Sequence, residues 1–113
     1  SEDYKKSRKL EDLTSKKIAK YYDAIMAKDA KGLTSPNISL AREVLNDIEK
    51  SKDSLKSYDR SILWSSWAYI YFVEKNYESA IYMYDKVISE DKVTLPLRNE
   101  AIKACNLMKQ LLE

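Results

Sequence analysis

Histidine is absent from this chain of 113 residues, which carries only one glycine, one cysteine and two prolines. Without histidine there is no His-assisted nucleophile and no His-ligated metal site, and a single glycine cannot build a glycine-rich phosphate loop. One carboxylate pair, Glu43 with Asp47, and one carboxylate–hydroxyl pair, Asp85 with Ser89, are spaced i, i+4, but on the solvated faces of their helices, where such polar groups serve to solubilise the surface. The expectation is therefore a protein that is not an enzyme and has no cofactor or metal. A lone cysteine cannot pair within the chain. Cys105 lies between Ala101 and Met108 on a helical apolar stripe, the setting of a buried and unreactive thiol. Scarce glycine and proline argue against tight hairpins and leave helices as the principal structure. Long apolar runs are missing too. The longest, Trp67 to Val73, is far short of the roughly 20 residues of a membrane-spanning helix. Twenty basic against eighteen acidic residues leave a net charge of +2, too small to attract nucleic acid or an anionic membrane over distance.

What remains is one domain's worth of chain, 1–113. Residues 1–12 read as a loosely ordered arm, with Tyr4 and Leu10 its only apolar residues. Residues 5–20 are locally basic, with Lys5, Lys6, Arg8, Lys9, Lys16, Lys17 and Lys20 against Glu11 and Asp12. No stacked aromatics accompany them, so they read as a solvated arm rather than a phosphate-binding patch. The chain has no initiator Met, and Ser1-Glu2-Asp3 lacks the form of a signal-peptide start. That leaves either an excised segment or a mature form without its targeting segment, compatible with a secreted or a cytoplasmic origin.

Helical periodicity begins at Leu13. Ile18, Tyr22, Ile25 and Met26 form one apolar face, Thr14 or Ser15 is placed to cap it, and Gly32 to end it. After a connector with Ser35-Pro36 as cap and first turn, Ile38, Ala41, Val44, Leu45 and Ile48 mark a second helix. Leu55 and Tyr58 tuck back onto the core, and Ser57 or Asp59 caps a third helix running to about Glu74. A turn at Glu74-Lys75-Asn76, with Asn76 as cap, leads to a fourth helix burying Tyr77, Ala80, Ile81, Tyr84, Val87 and Ile88, with Tyr82 outside. A polar link, Glu90 to Thr94, and Leu95-Pro96 precede a fifth helix carrying Leu97, Ala101, Ala104, Met108 and Leu111.

The third and fourth helices hold both tryptophans, the only phenylalanine and more than half of the tyrosines. Trp64, Trp67, Ala68, Tyr71, Tyr77, Ala80, Tyr84 and Val87 stand at the spacing W, L, G, Y, Y, A, F, A, and so the stretch 57–91 resembles a tetratricopeptide repeat. The small Ala68 and Ala80 allow close helix approach while the aromatics fill the space around them. Lys92 stands where the pattern closes with proline, and Pro96 follows four residues later. Residues 13–52 resemble a degenerate first repeat through Ala41, Leu45 and Ile48, and 95–113 the first helix of a further repeat or a cap. The resemblance implies an all-α, right-handed α-α superhelix of about five helices. A narrower likeness is carried by Ser57-Tyr58-Asp59-Arg60, Ala68-Tyr69-Ile70-Tyr71, Tyr77-Glu78-Ser79-Ala80-Ile81, Leu95-Pro96 and Leu107-Met108-Lys109-Gln110-Leu111. It is similar to repeat proteins found with TonB energy-transduction systems of Gram-negative bacteria, and would imply a periplasmic accessory of transport; a cytoplasmic location is the alternative.

In such arrays the first helices of successive repeats line a concave surface. On the third helix the face opposite Trp64 is Ile62, Ser65, Tyr69, Phe72 and Val73, and from the fifth helix Asn99, Lys103 and Asn106 reach the same surface in one register. The expected partner is a protein segment, extended or helical, held by apolar and amide contacts. Family members that grip acidic tails use Lys, Arg and Asn, whereas this repeat offers Ser65, Ser66 and Tyr69. Two alternatives stand beside this: burial by neighbouring helices accounts equally for the five third-helix positions, and the same face suits a homodimer.

Overall fold

A computed structural model of the chain describes residues 10–113. The expected basic arm at Lys5, Lys6, Arg8 and Lys9, and most of the loosely ordered 1–12, lie outside the described residues. Within them the structure is all-helical: α1 (Asp12–Ile25), α2 (Ile38–Glu49), α3 (Ser57–Val73), α4 (Tyr77–Ser89) and α5 (Leu95–Leu111), with a 3-10 turn at Lys52–Ser54. Each helix packs against the one that follows it. The molecule measures 47 by 40 by 24 Å, its thin dimension about two helix diameters. None of the described helices is long and apolar enough to cross a membrane.

The α1 face is rotated from the expected one. Thr14, Ile18, Tyr21 and Ala24 are buried, while Tyr22 is 44% and Met26 69% exposed. Of two adjacent tyrosines about 100° apart only one can enter the core. Tyr21 is the one whose hydroxyl finds an acceptor there, the Ser66 carbonyl at 3.2 Å. Neither Thr14 nor Ser15 caps α1. Glu11 is the N-cap, and its N–H donates to the carboxylate of buried Asp59 at 3.2 Å. Asp59 therefore caps α1 and not its own helix.

The first helix also stops at Ile25, short of Gly32. The Asp29 carboxylate accepts from the N–H groups of Lys31 (2.8 Å) and Leu33 (3.0 Å), competing with the helical pattern. A single antiparallel bridge, Lys28 with Thr34, closes the loop, and Gly32 supplies its positive φ of 79°. The cap of α2 is Asn37, not Ser35: its Oδ1 accepts from Leu40 N at 3.0 Å. Ala41, Leu45 and Ile48 are then buried as expected.

On α3, Leu63, Trp64, Trp67, Ala68 and Ile70 enter the core, and on α4 Ala80, Met83 and Val87 do so. Ala68 and Ala80 are fully buried. Between these helices Asn76 caps α4 by accepting from Ser79 N at 3.3 Å. Lys75 takes a left-handed φ of 61°, Asn76 N bonds Tyr71 O at 2.8 Å and Lys75 N bonds Phe72 O at 2.9 Å, a Schellman ending of α3. The α4–α5 link is not wholly polar, since Val93 is fully buried. Arg60 Nε meets both oxygens of Glu90 at 3.1 Å, and the Ser57 hydroxyl donates to Glu90 (3.2 Å) and accepts from Lys92 N (2.9 Å). These contacts pin the link to the start of α3. On α5, Ala101, Cys105 and Met108 are buried, whereas Leu111 is half exposed.

Candidate groove formed by the odd-numbered helices

The face of α3 opposite Trp64 opens into a cavity of about 620 Å³. Its α3 wall is Ile62, Ser65, Ser66 and Tyr69; α1 contributes Tyr21, Tyr22 and Ile25; and α5 contributes Leu97, Glu100, Ala101, Lys103 and Ala104. Tyr84 reaches it from α4. Its size and its mostly apolar walls with few polar groups are those of ligand-binding clefts.

Four of the residues singled out from the sequence, Ile62, Ser65, Tyr69 and Lys103, line this cavity. Phe72 and Val73 lie beyond it, 38% and 36% exposed, and the Phe72 ring is tilted 6.2 Å from that of Tyr77. Asn99 and Asn106 are exposed on α5 but are not on its walls. Burial by neighbouring helices covers the five α3 positions only in part: Tyr69, Phe72 and Val73 are 37%, 38% and 36% exposed, and Ile62 and Ser65 are half-buried.

The periodicity missed Tyr22, Ile25, Tyr84, Leu97 and Ala104, all assigned to the core, and missed Glu100 altogether. The signal present for α1 was the Tyr21-Tyr22 pair, since one of the two must leave the core. On α5 the wall residues Leu97, Glu100 and Ala104 recur at i, i+3, i+7, and the partly exposed Leu107 (53%) and Leu111 (51%) extend that row past the cavity.

The polar groups divide into satisfied and available. Ser65 and Ser66 donate to the Ile62 carbonyl at 3.0 and 2.7 Å, and Tyr21 to Ser66, so none of these hydroxyl protons is free for a ligand. Tyr22, Tyr69 and Tyr84 have no hydrogen-bond partner among the described residues. Burial raises the Tyr22 and Tyr84 phenols above their ordinary value, with the Glu100 carboxylate adding to the effect at Tyr84. Tyr21 is pushed up further, again by burial. All three are neutral donors at ordinary pH. An occupant would thus meet apolar walls, phenol donors, one carboxylate and one ammonium.

The paired carboxylates of α2 and the thiol of α5 lie outside the groove. Glu43 and Asp47 are exposed on α2, and the Lys17 ammonium at 3.0 Å holds the Asp47 carboxyl below its usual value. Cys105 is buried, its thiol 3.6 Å from the Asp85 carboxylate and raised by burial. Among the described residues no three His, Cys, Asp or Glu side chains cluster to hold a metal ion. Comparison with protein-family models, with curated proteins and with solved structures finds no match to this chain.

Proposed function

We propose that this chain is a non-catalytic, tetratricopeptide-like interaction module that takes a peptide or helix of a partner protein in the groove of α1, α3 and α5. The observation that carries the proposal is the origin of the groove walls. They come chiefly from the odd-numbered helices, the first helices of successive pairs, whose faces line the concave surface in a repeat array. Uncovered aromatic and aliphatic side chains with unsatisfied phenols suit an amphipathic segment bound by apolar burial and a few hydrogen bonds. The likeness to TonB-associated repeat proteins adds a periplasmic setting and a transport role to the proposal.

Panning a displayed peptide library against the chain tests this. The expected selection is of peptides with apolar or aromatic anchors whose binding Tyr69→Glu abolishes while the helical circular-dichroism signal is retained. Selected peptides indifferent to Tyr69→Glu would sink the proposal.

A second reading, a homo-oligomerising structural domain, draws on Leu107, Leu111 and Leu112, each about half exposed near the end of α5. Sedimentation across a range of concentrations decides it: a persistent monomer removes it, and a tight dimer masking Tyr69 would replace the peptide-binding proposal.

A further inference from the structure

On the other side of α3 lies a second cavity, of about 370 Å³, walled by α2, the 3-10 turn, α3 and α4. It contains an aromatic box. Lys86 Nζ stands 4.8 Å from the centroid of the Trp64 ring and 5.1 Å from that of Tyr82, so two rings hold one ammonium. Trp64 is buried and fixes one wall, while Tyr82 is 63% exposed and leaves the other open to solvent. The charged residues on the walls are Glu49, Lys52 and Lys86.

Ring faces attract cations in general, and the occupant in place is one that water competes for. A primary ammonium is compact and strongly hydrated, and Lys86 carries it on a flexible four-carbon stem that can swing into water. A trimethylammonium group sheds its weaker hydration more cheaply and presents methyl groups to both rings. Once displaced, Lys86 leaves its charge with that of Lys52 on the cavity walls, and two ammonium groups beside one carboxylate favour an anionic group on the same ligand. We propose that this cavity binds a zwitterionic trimethylammonium compound, its quaternary nitrogen between Trp64 and Tyr82 in the place of Lys86 Nζ and its anionic group facing Lys52 and Lys86. Phosphocholine and small betaines share this chemistry. The site is separate from the groove and stands or falls independently of it.

The full chain is titrated with phosphocholine, glycine betaine, choline and inorganic phosphate, and followed by indole fluorescence and amide NMR. Saturable binding of phosphocholine and betaine is expected, with choline about threefold weaker for want of the anion. Tyr82→Ala alters an exposed residue and so keeps the fold, which circular dichroism checks; it is expected to weaken phosphocholine about fivefold. Lys52→Gln is expected to narrow the preference for phosphocholine over choline. Absence of any response, a phosphate response equal to that of phosphocholine, or unchanged affinity in Tyr82→Ala overturns the proposal. Competition by phosphatidylcholine vesicles would support a lipid headgroup as the natural source, and indifference to vesicles a free solute.

Discussion

The two sides of α3 are built from the same kind of residue and end in different states. Towards α2 and α4, Trp64 and Tyr82 share the Lys86 ammonium, Arg42 lies 5.9 Å from the Trp67 ring, and Arg42 in turn pairs with both oxygens of Glu74 at 2.6 and 3.1 Å. Towards α1 and α5, Tyr22, Tyr69 and Tyr84 face a cavity with no hydrogen-bond partner of their own among the described residues. On the first side the chain supplies cations to its own rings; on the second it leaves rings and phenols open. An apolar helix is buried on every side when its fold covers it fully, and towards α1 and α5 the larger and more apolar of the two cavities leaves α3 uncovered. That asymmetry is why the groove carries the functional proposal.

The largest effect separates adjacent residues on the two surfaces. Ile70 is fully buried and Tyr69 is 37% exposed, so Ile70→Ala is expected to cost about 3 kcal/mol through lost transfer and a residual cavity. Tyr69→Ala is expected to cost clearly less, about 1 kcal/mol, for the part of its ring that is covered. Urea unfolding of the two variants measures both, and equal losses would break the comparison by making Tyr69 part of the core.

The phenol side is expected to be sensitive to alkali. Tyr21, Tyr22 and Tyr84 have folded values raised by burial, so the unfolded chain releases their protons first. Their contribution is fully present below the unfolded phenol value of about 10 and is lost as pH rises through the folded values. Tyr21→Phe removes the bond to Ser66 at about 1 kcal/mol and flattens the alkaline limb of a stability profile. A limb unchanged in that variant would contradict the assignment.

A smaller effect, of the opposite sign, lies at the turn after α3. Lys75 pays for a left-handed backbone with a side chain, so Lys75→Gly is expected to raise stability by up to about 1 kcal/mol, read as a higher denaturation midpoint. The smallest effect is on the indole side, in acid. Arg42 holds the Glu74 carboxyl below its ordinary value, so its contribution is present above the usual carboxylate range and lost as pH falls through the folded value. Both side chains are about one-third exposed, and solvent screening keeps the contribution under about 0.5 kcal/mol. Comparing Glu74→Gln with the parent chain from pH 7 to pH 3 checks it.

Much of the scaffold was legible where local chemistry decides structure. Five helices, the Asn76 cap, the buried thiol of Cys105 and the exposed ring of Tyr82 all follow from periodicity and capping within a few residues. What periodicity could not show depends on partners distant in sequence. Tyr21 displaced Tyr22 from the core because Ser66, 45 residues away, offers an acceptor, and Asp59 turned from its own helix to cap α1 across 48 residues. The groove was half legible for the same reason. Its α3 wall was readable as the face opposite Trp64, but its α1 and α5 walls depend on a register that only packing sets.

The most direct measurement is an NMR titration of the chain with a library-selected peptide, reading the ring signals of Tyr22, Tyr69 and Tyr84 against those of Trp64 and Tyr82. Saturable shifts on the groove tyrosines, with the indole side unmoved, are expected if the open face of α3 is the binding surface. Shifts centred on Tyr82 and Trp64, or none at Tyr69 under saturating peptide, would contradict it.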